Sequence, residues 1–203
     1  MKLYDGGRAP NPRCVRVFLA EKGVNIPLVP VDMGAMAHKG DEIAARNPLR
    51  QLPVLELDDG TIITESIAIC RYIEMLHPEP PLFGRGALEC ATIDMWQRRV
   101  EFHLLGTVAA AFRHTHPAMA DWEVPQVAAW GEANRPKALA FMAYLDGELA
   151  KRAYVAGDAF SVADITAMIA LDFTKPAKII IPPELEHLGR WYAAMKARPS
   201  ASA

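Results

Sequence analysis

Residues 47–66 read Asn-Pro-Leu-Arg-Gln-Leu-Pro-Val-Leu-Glu-Leu-Asp-Asp-Gly-Thr-Ile-Ile-Thr-Glu-Ser, and their types suit an edge that receives an extended, peptide-like ligand. Pro53 has no backbone N–H, so a strand can begin there without pairing normally at that position. A cis Leu52–Pro53 bond would turn the peptide groups of Leu52 outward, where they can pair with a ligand backbone. Glu65 and Ser66 come immediately before Ile67, Ala68, Ile69, Cys70, Tyr72 and Ile73, which read as a helix with an apolar face. A carboxylate, a hydroxyl and the free N–H groups of a helix start therefore converge at one point.

The elements that must hold these groups are legible around them. Residues 54–57 and 61–64 are apolar and β-branched, and Asp58-Asp59-Gly60 between them signals a hairpin turn. Upstream, residues 2–4 suit a short strand, and Asp5-Gly6-Gly7-Arg8-Ala9-Pro10 a loop. Asn11 is then a favoured N-cap and Pro12 suits the first helical position, with Cys14, Val15, Phe18 and Leu19 as an apolar stripe ended by Gly23. Residues 28–31 form a second strand, and a strand–helix–strand unit of this length implies a parallel pair with a right-handed crossover. The order βαβ then ββα is thioredoxin-like. Residues 41–45 suit a short helix after an irregular segment, 33–39.

His77-Pro78-Glu79-Pro80-Pro81 ends the third helix and stiffens a connection. We place a thioredoxin-like domain at 1–79, a linker at 80–86 and an all-α helical domain at 87–203. In the last of these, Ile93, Trp96, Val100 and Leu104 recur at helical spacing, as do Leu139, Met142 and Leu145, while residues 179–181 are a weak strand signal cut by Pro182. Ser161-Val162-Ala163-Asp164 is a capping-box variant before Ile165, Met168 and Ile169.

At 203 residues with a formal net charge of −2 and dispersed basic groups, the chain lacks the electrostatic footprint of a nucleic-acid binder. No apolar run nears 18 residues and no signal-peptide core follows Met1, so a cytoplasmic location is expected. Cys14, Cys70 and Cys90 form neither a C-x-x-C pair nor a metal-ligand spacing, and read as reduced thiols. His114 and His116 make no credible metal pair.

Gln51-Leu52-Pro53 followed by Glu65-Ser66, together with the capping box and the Trp191-Tyr192 and Ala197-Arg198-Pro199-Ser200 ending, resembles the soluble glutathione S-transferases over nearly the whole chain. The likeness is nearest to the bacterial beta, nu, zeta and theta-like classes. It implies glutathione as co-substrate, no metal, and a homodimer. It also implies that Leu52, just before Pro53, pairs with the cysteinyl part of glutathione, and that Glu65 and Ser66 hold the γ-glutamyl ammonium and carboxylate. His38, Lys39, Arg50 and Gln51 are the candidates for the glycine carboxylate, with Gln51 favoured because it adjoins Leu52.

Glutathione reacts as a thiolate, and lowering a thiol pKa from about 8.5 by about two units takes roughly 2.7 kcal/mol of preferential stabilisation. The family places a Tyr, Ser or Cys at the start of the first helix for this purpose. Here the segment is Ala9-Pro10-Asn11-Pro12, and no serine or threonine precedes Thr61. Ala9 falls where serine classes carry their hydroxyl, and Pro10-Asn11 matches nu-like enzymes that use an asparagine near the sulfur. Asn11 is thus the expected thiolate donor. Tyr4 is a competitor that lies about three positions too early, and Cys14 falls on the apolar stripe. Phe112, Met119 and Trp122 are plausible linings for a hydrophobic co-substrate. The expected activity is conjugation of the glutathione thiolate to small hydrophobic electrophiles; the alternatives are glutathione-dependent disulfide reduction, or a non-catalytic glutathione-transferase-like binding module.

Overall fold

A computed structural model describes residues 1–203. They divide into one unit of Met1–Leu82 with Pro199–Ala203 and a second of Phe83–Arg198. The first is an α/β thioredoxin-like layer: β1 (Lys2–Asp5), α1 (Pro10–Lys22), β2 (Leu28–Pro30), α2 (Asp41–Ala44), β3 (Val54–Glu56), β4 (Ile62–Thr64) and α3 (Ser66–Leu76). Its sheet has the order β2-β1-β3-β4, with β1 parallel to β2 and antiparallel to β3, and β3 antiparallel to β4.

Helix α1 begins two residues earlier than its capping residues suggest. Pro10 occupies the first helical position and Ala9 the cap, with no side-chain cap hydrogen bond, so Asn11 lies inside the first turn and is not the N-cap. Proline at the first position sacrifices a donor that has no intrahelical partner anyway, and its fixed φ already suits a helix. At the other end Gly23 takes a left-handed conformation (φ 64°) and its N–H bonds back into the helix, as a glycine terminator should.

Val15, Val17 and Phe18 of α1 and Ile69, Cys70 and Ile73 of α3 are fully buried. At the closed end of this layer Lys22 forms a buried ion pair with Glu74, and its ammonium also donates to the carbonyl oxygens of His77 (2.9 Å) and Pro80. The tail returns to the same unit: Arg13 Nη2 donates to the Ala201 carbonyl at 2.8 Å and the Ser200 hydroxyl bonds Glu21. The range 87–203 drawn from helical periodicity runs past this division by the last five residues.

The second unit is all helical: α4 (Gly86–Val100), a π-helical turn (Glu101–Leu105), α5 (Gly106–Thr115), α6 (Ala128–Leu149), α7 (Val162–Thr174) and α8 (Glu186–Lys196). Residues 179–181 form no strand. The core of this unit is α7, in which every residue from Val162 to Leu171 is buried. A buried helix start leaves donors that water cannot satisfy, and the capping box meets that need. Asp164 Oδ2 accepts from the Ser161 N–H (3.0 Å) and lies 3.1 Å from its hydroxyl, while Oδ1 accepts from the Val155 N–H and Trp191 Nε1–H, both at 2.9 Å. Burial nevertheless dominates and raises the Asp164 carboxyl to about 6. No helix of the chain is long and apolar enough to cross a membrane.

Candidate active site

Strand directions decide where the chemistry can gather. β1 ends toward α1, β3 runs antiparallel to β1 and therefore starts at that same end, and β4 runs antiparallel to β3 and finishes there. The pairs Tyr4↔Val54 and Val54↔Thr64 set this register. Pro53 and Glu65 directly adjoin the paired Val54 and Thr64, so Leu52–Pro53 and Glu65–Ser66 leave the sheet at the same end. Gly6 closes the gap on the other side. A Cβ built there would meet Pro12 Cγ at 3.2 Å, Met33 Cγ at 3.2 Å and Leu52 Cδ1 at 3.3 Å. Three segments that are separate in sequence, 9–12, 52–53 and 65–66, thus meet at one end of the sheet.

The Leu52–Pro53 peptide is cis. Leu52 itself is buried with Tyr4, Ile43 and Val54, while the β1–β3 pairing begins only at Val54, so Leu52 lies just beyond the ladder. Glu65 is exposed and sits at φ 67°, ψ 121°, a conformation that non-glycine residues rarely adopt. It is the cap residue of α3 but makes no side-chain cap bond. Ser66 follows as the first helical residue. The first intrahelical bond of α3 runs from the Ile69 N–H to the Glu65 carbonyl (2.9 Å), so the N–H groups of Ser66, Ile67 and Ala68 are those that a helix leaves without intrahelical partners. With the Ser66 hydroxyl they make an anion-favouring corner, and Glu65 supplies a carboxylate next to it for a cation.

The two prolines give the start of α1 a particular character. Pro10 and Pro12 carry no N–H, and the Arg13 N–H already bonds the Ala9 carbonyl at 3.2 Å. Of the first three helical positions only Asn11 therefore has a backbone N–H, and its side chain is exposed. The positive end of the α1 dipole and an amide donor coincide on that residue.

Tyr4 is not a competing donor. Its hydroxyl donates to Glu56 Oε2 at 2.9 Å, Arg46 stacks over its ring at 4.6 Å, and Lys2 and Arg46 pair with the same carboxylate. Arg46, then Lys2 and Tyr4, hold that Glu56 carboxyl down to about 2. Cys14 and Cys70 are buried. Burial, and then the adjoining Cys14 thiol, push the Cys70 thiol well above its ordinary value, which removes thiolate character from Cys70.

Among the residues expected at the glycine end, Gln51 and Arg50 are exposed on the loop before Leu52, and Arg50 bonds the Lys39 carbonyl. His38, in the 3₁₀ turn Ala37–Lys39, is only 3% exposed. Its pKa is lowered, first by burial and then by the charge of Lys39, so it is neutral at pH 7 and not an open cation. Sequence reasoning missed Asn47, which is buried and bonds across the loop it begins; the turn-forming habit of asparagine was the available signal. In the second unit, Phe112 packs against the rings of His116 (4.7 Å) and Phe173 (5.0 Å). The described side chains include no cluster of His, Cys, Asp and Glu that could hold a metal ion.

Comparisons with known proteins agree with this architecture. Residues 1–75 match the family model "Glutathione S-transferase, N-terminal domain" and residues 108–199 match "Glutathione S-transferase, C-terminal domain". The chain is 42% identical to glutathione S-transferase 2 of Saccharomyces cerevisiae, over 98% of this chain and 87% of that protein. It is 33% identical to glutathione S-transferase 4 of Zea mays, over 100% and 90%. A solved structure of a glutathione S-transferase domain-containing protein from Marinobacter aquaeolei superposes with a TM-score of 0.95 at 43% identity, covering 98% of this chain and 99% of that one. With an α/β layer that gathers Asn11, Leu52, Glu65 and Ser66 at one sheet end, followed by a helical unit, the chain belongs to the glutathione S-transferase family and is a glutathione transferase enzyme.

Proposed function

We propose that the enzyme joins the glutathione thiolate to small hydrophobic electrophiles. Glutathione lies along Leu52 with its cysteinyl backbone. Glu65 takes the γ-glutamyl ammonium, and Ser66 with the α3 N-terminus takes the γ-glutamyl carboxylate. Gln51 and Lys39 serve the glycine carboxylate, and His38 supports their loop as a neutral, buried side chain. The sulfur then falls near the start of α1, where the Asn11 N–H groups stabilise the thiolate. An amide cannot accept the thiol proton, so Asn11 stabilises charge and the proton leaves to solvent. The bond formed joins sulfur to the electrophilic carbon. In a substitution the bond from that carbon to the leaving group breaks and its electron pair departs with the leaving group; in an addition the π pair moves onto the neighbouring atom, which takes a proton from solvent. The observation that carries this reading is the meeting of segments 9–12, 52–53 and 65–66 at one sheet end. A homodimer in the cytoplasm completes the proposal, following the family's habit and the commonness of two-fold assemblies.

Retention on immobilised glutathione, followed by turnover of a chlorinated nitroaromatic and of a small disulfide, tests the reading. Binding with aromatic conjugation supports it; turnover of the disulfide alone transfers the assignment to disulfide reduction on bound glutathione; binding without either turnover indicates a binding module. An ultraviolet titration of bound thiolate tests Asn11. Loss of one hydrogen bond to a charged group, worth about 1.5 kcal/mol, should raise the thiol pKa by about one unit in Asn11→Ala. An unchanged titration removes Asn11 from the role.

A further inference from the structure

Asn47 is only 4% exposed, and its hydrogen bonds go to the backbone of the loop that leads to Leu52. Its backbone N–H donates to the Ile43 carbonyl at 2.7 Å, which fastens it to the end of α2. Ile43 belongs to the apolar cluster that includes Leu52 and Val54. From this anchored position Asn47 spans the loop ahead of Leu52. Its Oδ1 accepts from the Leu49 N–H at 3.1 Å, its Nδ2 donates to the Gln51 carbonyl at 2.9 Å, and its own carbonyl accepts from the Arg50 N–H at 2.8 Å. Arg50 meanwhile adopts φ 54°, which a non-glycine residue keeps only where surrounding bonds over-determine it.

We propose that Asn47 is a positioning residue for glutathione binding: its side-chain amide bridges Leu49 and Gln51 and so sets the path by which the chain delivers Leu52. The inference rests on the glutathione reading above. The bridge needs one donor and one acceptor at fixed separation, which an amide supplies. Aspartate retains the acceptor toward Leu49 but lacks the donor, and sets a carboxylate against the Gln51 carbonyl. Serine can accept from the Leu49 N–H, as hydroxyls do in related turns, but is too short to reach Gln51.

The consequence is a split between binding and chemistry. Asn47 touches neither Asn11 nor Ser66, so its loss should loosen the ledge while leaving thiolate stabilisation alone. In Asn47→Asp and Asn47→Ala the KM for glutathione should rise about tenfold, equivalent to about 1.4 kcal/mol, and in Asn47→Ser somewhat less. The kcat at saturating glutathione and the pKa of the bound thiol should stay within twofold and a few tenths of a unit. Amide exchange at Leu49 and Arg50 should quicken, and exchange in α1 and α3 should not. If Asn47→Ala does not fold, Asp and Ser carry the test. A lower melting temperature with unchanged KM overturns the inference and leaves Asn47 a structural amide, and so does a fall in kcat with KM intact. A wild-type enzyme that fails to bind glutathione overturns the underlying reading as well, whereas a binding wild type with an indifferent variant overturns this inference alone.

Discussion

Replacing Glu65 by glycine should make the protein more stable and a poorer binder at once. Glu65 holds φ 67° and ψ 121°, and backbone strain of this kind costs about 1–3 kcal/mol in a residue that carries a Cβ. Glycine releases that cost but adds about 0.4–1 kcal/mol of unfolded-chain entropy. The side chain makes no cap bond to α3, so its removal forfeits only the interaction of a carboxylate with the helix N-terminus, about 0.3–1 kcal/mol. Glu65→Ala loses the same carboxylate and keeps the strain. The two variants therefore isolate the backbone contribution, and Glu65→Gly should exceed Glu65→Ala in stability by about 1 kcal/mol, or about 2–4 °C in Tm for a chain of this size. Both should bind glutathione about 10–150-fold more weakly, the loss of a charged hydrogen bond worth about 1.5–3 kcal/mol. Thermal unfolding with calorimetric titration of glutathione measures both effects. A glycine variant no more stable than the alanine variant refutes the strain argument, and undiminished binding in either refutes the role given to the carboxylate.

Asp164→Ala should prevent the second unit from folding, because it strands the Val155 and Ser161 N–H groups and the Trp191 indole N–H in the core at about 1–3 kcal/mol each; near-native unfolding midpoints would contradict this. Because burial raises the Asp164 carboxyl from 3.8 to about 6, its contribution to stability is full below about pH 4 and is lost as pH rises through 6, by about 3 kcal/mol. Asp164→Asn should lack that slope, and a pH series of denaturant midpoints with identical slopes for the two proteins would show the argument wrong. Lys22→Met should cost about 3–5 kcal/mol by leaving the Glu74 carboxylate buried without its ammonium. Lys22→Met/Glu74→Leu should recover much of the loss, and a double mutant as unstable as the single one would place the cost elsewhere.

Local chemistry was readable because its partners are close along the chain. Gly23 as a helix terminator, the Asp58-Asp59-Gly60 turn, the order of strands and helices, and the pairing of Ser161 with Asp164 each depend on residues within a few positions of one another. The start of α1 shows the limit of such reading: Asn11 and Pro10 are both plausible at a helix entrance, and the fold begins the helix at Pro10. That choice moves Asn11 from a cap that would consume its side chain to a first-turn position that leaves the side chain exposed.

By itself, then, the sequence determined the two-part architecture and pointed to the residues proposed to bind a tripeptide thiol. Only the tertiary structure decided how they meet. The antiparallel run of β1, β3 and β4 brings 9–12, 52–53 and 65–66 to a common sheet end. The same packing turns the Tyr4 hydroxyl onto Glu56, 52 positions away, joins Lys22 to the carbonyls of His77 and Pro80, and ties Arg13 to Ala201 across 188 positions. Periodicity and turn propensity report on neighbours along the chain, whereas burial, strain at Glu65 and the neutrality of His38 arise from atoms that only folding makes neighbours.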